Sequence, residues 1–221
     1  MLVVVASACL ICFAHSENRA AEIAGWGTVI NPDGDCTIRE AAGKVAIEIP
    51  STKHDMWYGG KNEKTRFNAP RVLREVKGNF VATVRVTADW ETGLSEGGYN
   101  GAGLLVWDSE RQYLRMERNR FANPAAGTHQ LTYTTPLYDL DNKRRFYNST
   151  RDEFFEGRST WLRIERFGGT FITSISRDGK WKRTGVVATD FRNTVLLGIH
   201  AVSSTPSAFN IEYEQFEVKS R

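Results

Sequence analysis

The stretch Trp161 to Trp181, WLRIERFGGTFITSISRDGKW, decides the fold class of this chain. Apolar and polar residues alternate along both of its halves, which is the period of β-strands that bury one face. Asp178-Gly179 lies near the end of the stretch, and Asp-Gly is among the dipeptides most typical of β-hairpin turns. The stretch therefore predicts consecutive antiparallel strands.

One pattern occurs twice, as Tyr113-Leu-Arg-Met-Glu-Arg118 and as Trp161-Leu-Arg-Ile-Glu-Arg166. A period of two puts an aromatic, an Arg and a Glu on one face of each copy, and aliphatic residues on the other. We expect both strands to share a sheet, which would bring six side chains to one face: Tyr113, Arg115, Glu117, Trp161, Arg163 and Glu165. The alternative interpretation is a solvent face of cross-strand Arg–Glu pairs, each worth only about 0.2–1 kcal/mol.

The rest of the chain also favours an all-β fold. The 221 residues include 19 Gly, 6 Trp, 12 Phe and 7 Tyr, which is typical of turn-rich, aromatic-rich β proteins and is enough for one β domain or two small ones. No segment has the pattern of a three-turn helix. Further strands are predicted at 44–49, 80–88, 101–107, 112–118, 130–134, 181–187, 194–202 and 210–219. Their spacing predicts an antiparallel sandwich or barrel.

The first residues have the composition of an export signal. Residues 1–16 are apolar without acidic or basic side chains, too short to span a membrane, and end in Ala14-His15-Ser16. We therefore expect a signal peptide at 1–16, a short linker at 17–24 and one β-sandwich domain at 25–221. No Lys or Arg precedes the apolar run, so either the true start lies upstream or the signal is atypical. The predicted mature protein is secreted or periplasmic, with no stable membrane insertion.

Several classes of function lack their usual signals. A net charge of +3 is too small to indicate a nucleic-acid partner, and Lys143-Arg144-Arg145 is interpreted as a solvated loop. Phosphate-binding loops, H-E-x-x-H and Gly-x-Ser-x-Gly motifs do not occur in the sequence. We therefore predict no cofactor and no metal. Asp33-Gly34-Asp35 suggests calcium, but turn chemistry explains it as well.

Two residues of reactive type are interpreted as parts of the core. His200 lies in the apolar run LLGIHAV, which predicts a satisfied core histidine. Cys36 is the one cysteine left in the predicted mature chain, and without an identifiable base it is interpreted as a small buried residue. With a single cysteine no disulfide framework is possible, so stability has to come from the hydrophobic core.

A family resemblance rests on the order and spacing of several motifs. They are Trp161-Leu-Arg, Ser176-Arg-Asp-Gly-Lys-Trp181, Leu197-Gly-Ile-His-Ala-Val-Ser203, Gly101-Ala-Gly-Leu-Leu-Val-Trp107 and the Phe216-Glu-Val218 strand. Together they resemble the concanavalin A-like lectin/glucanase superfamily, in the domain family named after a yeast regulator of enolase. The chain departs from that pattern near Gly179 and in the 137–158 insert. The resemblance implies a two-sheet antiparallel jelly-roll sandwich with a concave sheet, and no established reaction.

Our leading hypothesis is a non-catalytic carbohydrate-binding domain with its glycan or polysaccharide ligand on the concave sheet. Aromatic rings stack on sugars, and charged groups hydrogen-bond their hydroxyls. The predicted ligand contacts are the six residues of the repeated pattern together with Trp57 and Trp107. The loop His54 to Gly60 is interpreted either as a flap over the groove or as a plug at the sandwich end.

Two other functions stay open. One is a glycan-acting hydrolase with Glu117 and Glu165 as its acid–base pair. Glu212-Tyr-Glu214-Gln-Phe-Glu217 also approaches a glycosidase motif, but alternation separates Glu217 from the other two acids unless a bulge intervenes. The other open function is a protein–protein interaction domain that uses the same sheet.

Overall fold

The computed structural model describes residues 21–57, 65–123, 128–140, 143–150 and 157–221, with side chains described outside 123–150. The predicted signal peptide at 1–16 and loop residues 58–60 lie outside these ranges. Among the described residues the one helix is a short 3-10 turn, Leu94–Glu96. No helix in this part of the chain is long and apolar enough to cross a membrane.

Antiparallel strands make up nearly all of the described chain. In order they are β1 (Glu22–Ile23), β2 (Gly27–Ile30), β3 (Thr37–Ala41), β4 (Lys44–Ile49), β5 (Met56–Trp57), β6 (Arg66–Phe67), β7 (Arg71–Lys77), β8 (Phe80–Ala88), β9 (Gly98–Ser109), β10 (Gln112–Asn123), β11 (Thr128–Leu140), β12 (Lys143–Thr150), β13 (Ser159–Phe167), β14 (Thr170–Ser176), β15 (Lys182–Ala188), β16 (Thr194–Ser203) and β17 (Phe209–Ser220).

Two sheets pack face to face. Sheet A has eight strands in the order β1-β2-β7-β16-β9-β10-β11-β12, and sheet B has seven in the order β15-β14-β13-β8-β17-β4-β3. The small hairpin β5–β6 forms a separate two-stranded sheet. The predicted all-β, two-sheet antiparallel jelly-roll sandwich is confirmed.

The hydrophobic core lies between the sheets because each contributes one apolar face. In β8 the alternation of Phe80, Ala82, Val84 and Val86 with polar residues appears directly as alternating burial. Side chains from the central strands of sheet A, β9, β10 and β16, pack against these residues. Together the two sets form one continuous cluster. At about 25 cal/mol per Å² of buried apolar area, this cluster is the main source of stability.

The stretch from Trp161 to Trp181 folds as its pattern predicts. Trp161 in β13 pairs with Ser176 in β14, and Ile175 pairs with Lys182 in β15. Gly179 has φ +88° in the turn between β14 and β15, a conformation that favours glycine. The predicted antiparallel hairpin is confirmed.

The prediction that the two copies of the repeated pattern share a sheet is wrong. The first copy lies in β10, paired with β9 and β11 in sheet A, whereas the second lies in β13, paired with β8 and β14 in sheet B. Their aliphatic residues Leu114, Met116, Leu162 and Ile164 all enter the common core. The polar and aromatic residues therefore face outward on opposite sides of the sandwich. Alternation specifies which face of a strand is buried, but not the sheet to which the strand belongs.

The described part of the predicted linker contains a short strand. Glu22 and Ile23, placed in the linker at 17–24, pair with Thr28 and Gly27 at the edge of sheet A. The predicted insert 137–158 also contains strand: β11 continues to Leu140 and pairs with β12. The run Lys143-Arg144-Arg145, interpreted as a solvated loop, lies in β12.

Candidate functional site

The outer face of sheet A carries a second apolar cluster, separate from the core. We call it the outer cluster. The hairpin β5–β6, which we call the flap, packs against it. The cluster consists of Met56, Ala69, Leu73, Leu105, Tyr113 and Val202, with Ile30, Trp57, Phe67, Tyr99 and Trp107 partly buried against them. The described part of the loop from His54, which ends at Trp57, therefore lies against this sheet face.

Aromatic rings dominate the outer cluster. The Trp107 and Tyr113 rings stack with centroids 5.5 Å apart and an interplanar angle of 22°. Phe67 of the flap meets both rings edge-on, at 5.3 Å from Trp107 and 5.9 Å from Tyr113. The Arg71 guanidinium lies 5.4 Å from the Trp107 ring centroid. Trp57, Phe67 and Trp107 keep part of their surface exposed, so an aromatic edge is available to a ligand.

Two arginines of sheet A bind the flap backbone. Arg71 Nη1 donates to the carbonyl oxygens of Phe67 at 3.1 Å and Ala69 at 2.9 Å. Arg115 Nη1 donates to the carbonyl oxygen of Met56 at 3.0 Å and lies 3.8 Å from the Asp55 carboxylate. Charged donors make stronger hydrogen bonds than neutral ones. The flap position therefore depends on side chains of the sheet beneath it.

A buried carboxylate, Glu117, lies at the centre of this face. Its Oε1 accepts from the Tyr99 hydroxyl at 2.9 Å and lies 3.2 Å from Arg115 Nη2, and its Oε2 lies 3.5 Å from His200 Nε2. Burial opposes the charged form, but Arg115, His200 and Tyr99 outweigh burial and lower the pKa of Glu117. Gly101 leaves room for it, because a Cβ there would be 2.5 Å from Oε2.

Two further buried polar side chains lie on this part of the chain. Neither amide atom of Asn119 has a hydrogen-bond partner among the described residues. His200 is buried, as predicted, and its Nε2 faces Glu117 Oε2 at 3.5 Å, the outer limit of a hydrogen bond. Burial lowers the pKa of His200 despite the nearby Glu117, so the ring is neutral at pH 7. Unpartnered buried polar groups are costly and call for an explanation.

Sequence reasoning missed several residues of this face. Arg71, Phe67 and Tyr99 belong to no pattern that predicted a site, but Asn119 and Phe121 do continue the period-two series from Tyr113. Phe121 is 39% exposed and lines an open groove of about 890 Å³. Extending the alternation beyond the repeated pattern would have found both residues.

The second copy of the pattern forms a different surface. On the outer face of sheet B, Glu165 lies 2.5 Å from Arg163 and 3.2 Å from Arg221, and the Arg163 guanidinium lies 5.2 Å from the Trp181 ring centroid. Arg–Glu pairs therefore occur on this face, but Arg163 and Glu165 belong to the same strand and Glu165 is only 9% exposed. Trp161, Arg163 and Glu165 therefore do not join Tyr113, Arg115 and Glu117 in one site.

The prediction that Glu117 and Glu165 form an acid–base pair is wrong, because the two residues lie on opposite sheets. Glu117 and Glu165 face outward from opposite sheets, and packed sheets alone are about 10 Å apart. Glycoside hydrolysis needs two carboxyl groups about 5–9.5 Å apart around one bond. These two glutamates cannot act on the same glycosidic bond.

The three glutamates of β17 do share a face, because a bulge intervenes. Gln215 has φ +54°, and the register with β8 shifts between Glu214 and Glu217. The acids are engaged in ion pairs, Glu212 and Glu214 with Lys44, Glu214 also with Arg85, and Glu217 with Lys219. Burial opposes the charged form of Glu214, but Lys44 and Arg85 outweigh it and lower its pKa. Carboxylates held in ion pairs with a lowered pKa suit a charged surface and not the role of a general acid, which needs a raised pKa.

Comparisons with known proteins agree with the fold. A family model described as protein of unknown function (DUF1349) matches residues 35–221. No curated protein sequence matches the chain. A functionally unknown protein from Saccharomyces cerevisiae is similar in structure, with 20% identity, a TM-score of 0.71 and coverage of 89% of this chain and 97% of that chain.

Two glycan-related structures also resemble the chain. The GH43 protein BlXynB from Bacillus licheniformis has 13% identity and a TM-score of 0.58 over 87% of this chain, which spans only 36% of that protein. A Bacteroides ovatus mixed linkage glucan GH16 protein in complex with G4G4G3G product has 10% identity and a TM-score of 0.52, with coverage of 83% and 85%. At these identities the likeness shows a shared β-sandwich fold alone.

Proposed function

The chain belongs to the DUF1349 family of proteins of unknown function, and we propose that it is a non-catalytic carbohydrate-binding domain with its ligand on the outer face of sheet A. The observation that carries the proposal is the combination of partly exposed aromatic rings with buried charged and amide groups at one place. Trp57, Phe67 and Trp107 form the aromatic part. Arg115, Glu117 and Asn119 form the polar part.

This combination suits a sugar ligand for a physical reason. A pyranose ring has apolar C–H surfaces that stack on an aromatic ring, and hydroxyls around its edge that need directed hydrogen bonds. The amide of Asn119, which has no hydrogen-bond partner among the described residues, offers a donor and an acceptor on the same face. Phe121 of the same strand lines a separate open groove, together with residues of the 95–98 and 204–206 segments.

The sandwich likeness supports the proposal at a coarser level. A GH43 protein and a GH16 protein share this fold, and the GH16 protein is in complex with the product G4G4G3G. At identities of 13% and 10%, the activities of these two proteins cannot be transferred to this chain. The proposal has two further parts. The chain belongs to the family named after a yeast regulator of enolase, and it is exported as a secreted or periplasmic protein.

Binding without hydrolysis is favoured by the state of Glu117. A general acid of a glycosidase needs a carboxyl whose pKa is raised, so that it holds a proton near neutral pH. The net effect of the Glu117 surroundings is to lower its pKa. Among the described residues of this face no second carboxylate contacts Glu117.

The test is depletion of the purified protein from solution by a panel of insoluble polysaccharides, with reducing ends assayed in the same tubes. We expect one class of polymer to deplete the protein without release of new ends. Release of reducing ends would establish a hydrolase instead. If no polymer depletes the protein and no ends are released, a protein partner becomes the better hypothesis and the proposal is wrong.

A matched pair of variants locates the ligand. Trp107→Ala removes a ring from the outer cluster, whereas Trp181→Ala removes a ring that is 38% exposed on sheet B. Loss of a stacking aromatic costs about 1–2 kcal/mol, so Trp107→Ala should bind roughly 5- to 30-fold more weakly. Trp181→Ala should bind as the natural protein does. Equal losses in both variants would argue against the outer face of sheet A.

A further inference from the structure

Three side chains of metal-binding type meet where the turn after β2 approaches the base of the flap. Asp35 and Cys36 lie in that turn, and His54 lies two residues before β5. A carboxylate oxygen of Asp35, Cys36 Sγ and a ring nitrogen of His54 all lie within 4.8 Å of one another. Cys36 and His54 are buried, with 8% and 1% of their surfaces exposed. A buried thiol and imidazole beside a carboxylate form a mixed set of ligands rather than an acidic turn.

The distances suit a small transition-metal ion. His54 Nε2 lies 2.9 Å from Asp35 Oδ1, and Cys36 Sγ lies 3.7 Å from the same oxygen. Bonds of about 2.0–2.3 Å in a tetrahedral zinc site separate its ligand atoms by roughly 3.3–3.8 Å. Asp33 Oδ2 is 3.9 Å from His54 Nε2. The side chains need only small movements to surround one ion, with Asp33 nearest a fourth position.

The hydrogen bonds of His54 restrict what its other nitrogen can face. Nδ1 lies 3.0 Å from the carbonyl oxygen of Thr52 and 3.4 Å from the Thr52 hydroxyl, and the tautomer decides which ring nitrogen donates. Nε2 faces the carboxylates of Asp35 and Asp33. In the tautomer that donates from Nδ1 to the Thr52 carbonyl, the Nε2 lone pair is free to bind a cation beside these carboxylates. Metal-bound histidines commonly donate their other N–H to a backbone carbonyl in this way.

We propose that Asp35, Cys36 and His54 bind a zinc-like transition-metal ion. Nitrogen and sulfur ligands suit zinc and its neighbours, whereas calcium and magnesium prefer oxygen alone. The site therefore differs from the calcium alternative considered for Asp33-Gly34-Asp35, and it uses residues that turn chemistry leaves unexplained.

Other contacts hold the ligands in place. Thr52 Oγ1 donates to Asp35 Oδ2 at 3.0 Å, and Asn68 Nδ2 donates to Asp33 Oδ2 at 2.7 Å. The His54 backbone exchanges hydrogen bonds with Ser203 of β16, at 2.9 and 3.0 Å. An ion at this point would tie the β2–β3 turn to the base of the flap. It would thereby hold the flap against the outer cluster without contacting the proposed sugar ligand.

The experiment uses the full chain with Cys9→Ser and Cys12→Ser, so that Cys36 is the one remaining thiol. Zn²⁺ is titrated by calorimetry, with Ca²⁺ and Mg²⁺ as comparisons, and Co²⁺ is added to a separate sample for its absorption spectrum. We expect one Zn²⁺ per chain, a higher melting temperature with Zn²⁺ than without, and a thiolate-to-cobalt charge-transfer band. Ca²⁺ and Mg²⁺ should cause none of these changes.

Two substitutions and a control identify the ligands. Cys36→Ser should abolish the charge-transfer band, and His54→Ala should weaken Zn²⁺ binding roughly a hundredfold or more. Asp178→Asn, in an exposed turn of sheet B, should change neither. Circular dichroism identifies variants that do not fold, and the cobalt spectrum of the parent protein decides the question without them. If the parent shows no charge-transfer band and no bound Zn²⁺, the proposal is wrong.

Discussion

Replacing Arg115 by Met should destabilise this protein far more than the same change at Arg163. The two arginines occupy equivalent positions in the repeated pattern, and each faces a glutamate two residues later. The Arg115 and Glu117 side chains are buried, whereas 22% of the Arg163 side-chain surface is accessible to solvent. Arg115→Met leaves the Glu117 carboxylate buried with Tyr99 and His200 alone. Breaking a buried ion pair from one side costs about 3–5 kcal/mol, whereas an accessible pair contributes about 1 kcal/mol or less.

A double-mutant cycle separates the ion pair from simple loss of packing. In Arg115→Met/Glu117→Gln the uncompensated charge is gone, while Gln keeps an acceptor for the Tyr99 hydroxyl. We expect the double variant to lose less stability than the sum of the single variants by about 2 kcal/mol or more. The free energies come from urea unfolding at pH 7, followed by tryptophan fluorescence. Additive losses, or a loss in Arg115→Met no larger than in Arg163→Met, would refute the reasoning.

The loss of stability in Arg115→Met should also depend on pH. The folded-state pKa of Glu117 is lowered, so its contribution to stability is present above its unfolded pKa of about 4.3 and is lost as pH falls through the folded value. Without Arg115, burial is less opposed and that pKa rises. The gap in stability between Arg115→Met and the natural protein should therefore narrow as pH falls from 7 towards 4. A constant gap would mean that the charge of Glu117 does not matter.

Two further predictions concern the same face. Gly101→Ala places a Cβ 2.5 Å from Glu117 Oε2 and 2.8 Å from the Tyr99 ring. This overpacking should lower the free energy of unfolding, measured in urea, by about 1–3 kcal/mol. An unchanged midpoint of urea unfolding would mean that these side chains move aside without cost. Burial lowers the folded pKa of His200, so the unfolded chain binds more protons below its own pKa of about 6.5 and stability falls as pH drops from 7 to 5. His200→Gln should flatten this slope in melting temperature, and an unchanged slope would assign it to other groups.

Local pattern predicted strands well and their partners poorly. The alternations at 44–49 and 80–88 match the bounds of β4 and β8, and the Asp-Gly turn joins β14 to β15. These features depend on neighbours in sequence. Whether β10 and β13 share a sheet depends on contacts with strands far along the chain, and no period in either segment encodes those contacts. The repeated pattern therefore predicted two correct faces and one wrong sheet.

The candidate site was predictable only where it coincides with alternation. Tyr113, Arg115 and Glu117 were found because they repeat at a period of two. The flap strands β5 and β6 have two residues each, which is too short for any pattern, and the arginine that binds the flap from β7 is ordinary in sequence. His200 was hidden in an apolar run, because its role comes from Glu117 on another strand. Side chains brought together by pairing of distant strands leave no local signal.

The two copies of the repeated pattern show why burial, rather than residue type, marks the candidate site. Arg163 and Glu165 are more exposed, with 22% and 11% of their side chains accessible, so their pair contributes less. Arg115 and Glu117 have the same chemistry under the flap, where an apolar pair of similar volume would often be equally stable or more so. Stability therefore does not explain why charges occupy this position, or why an unpartnered Asn119 lies beside them. A ligand that needs directed hydrogen bonds next to aromatic rings does explain it, and so the outer face of sheet A is the surface to test first.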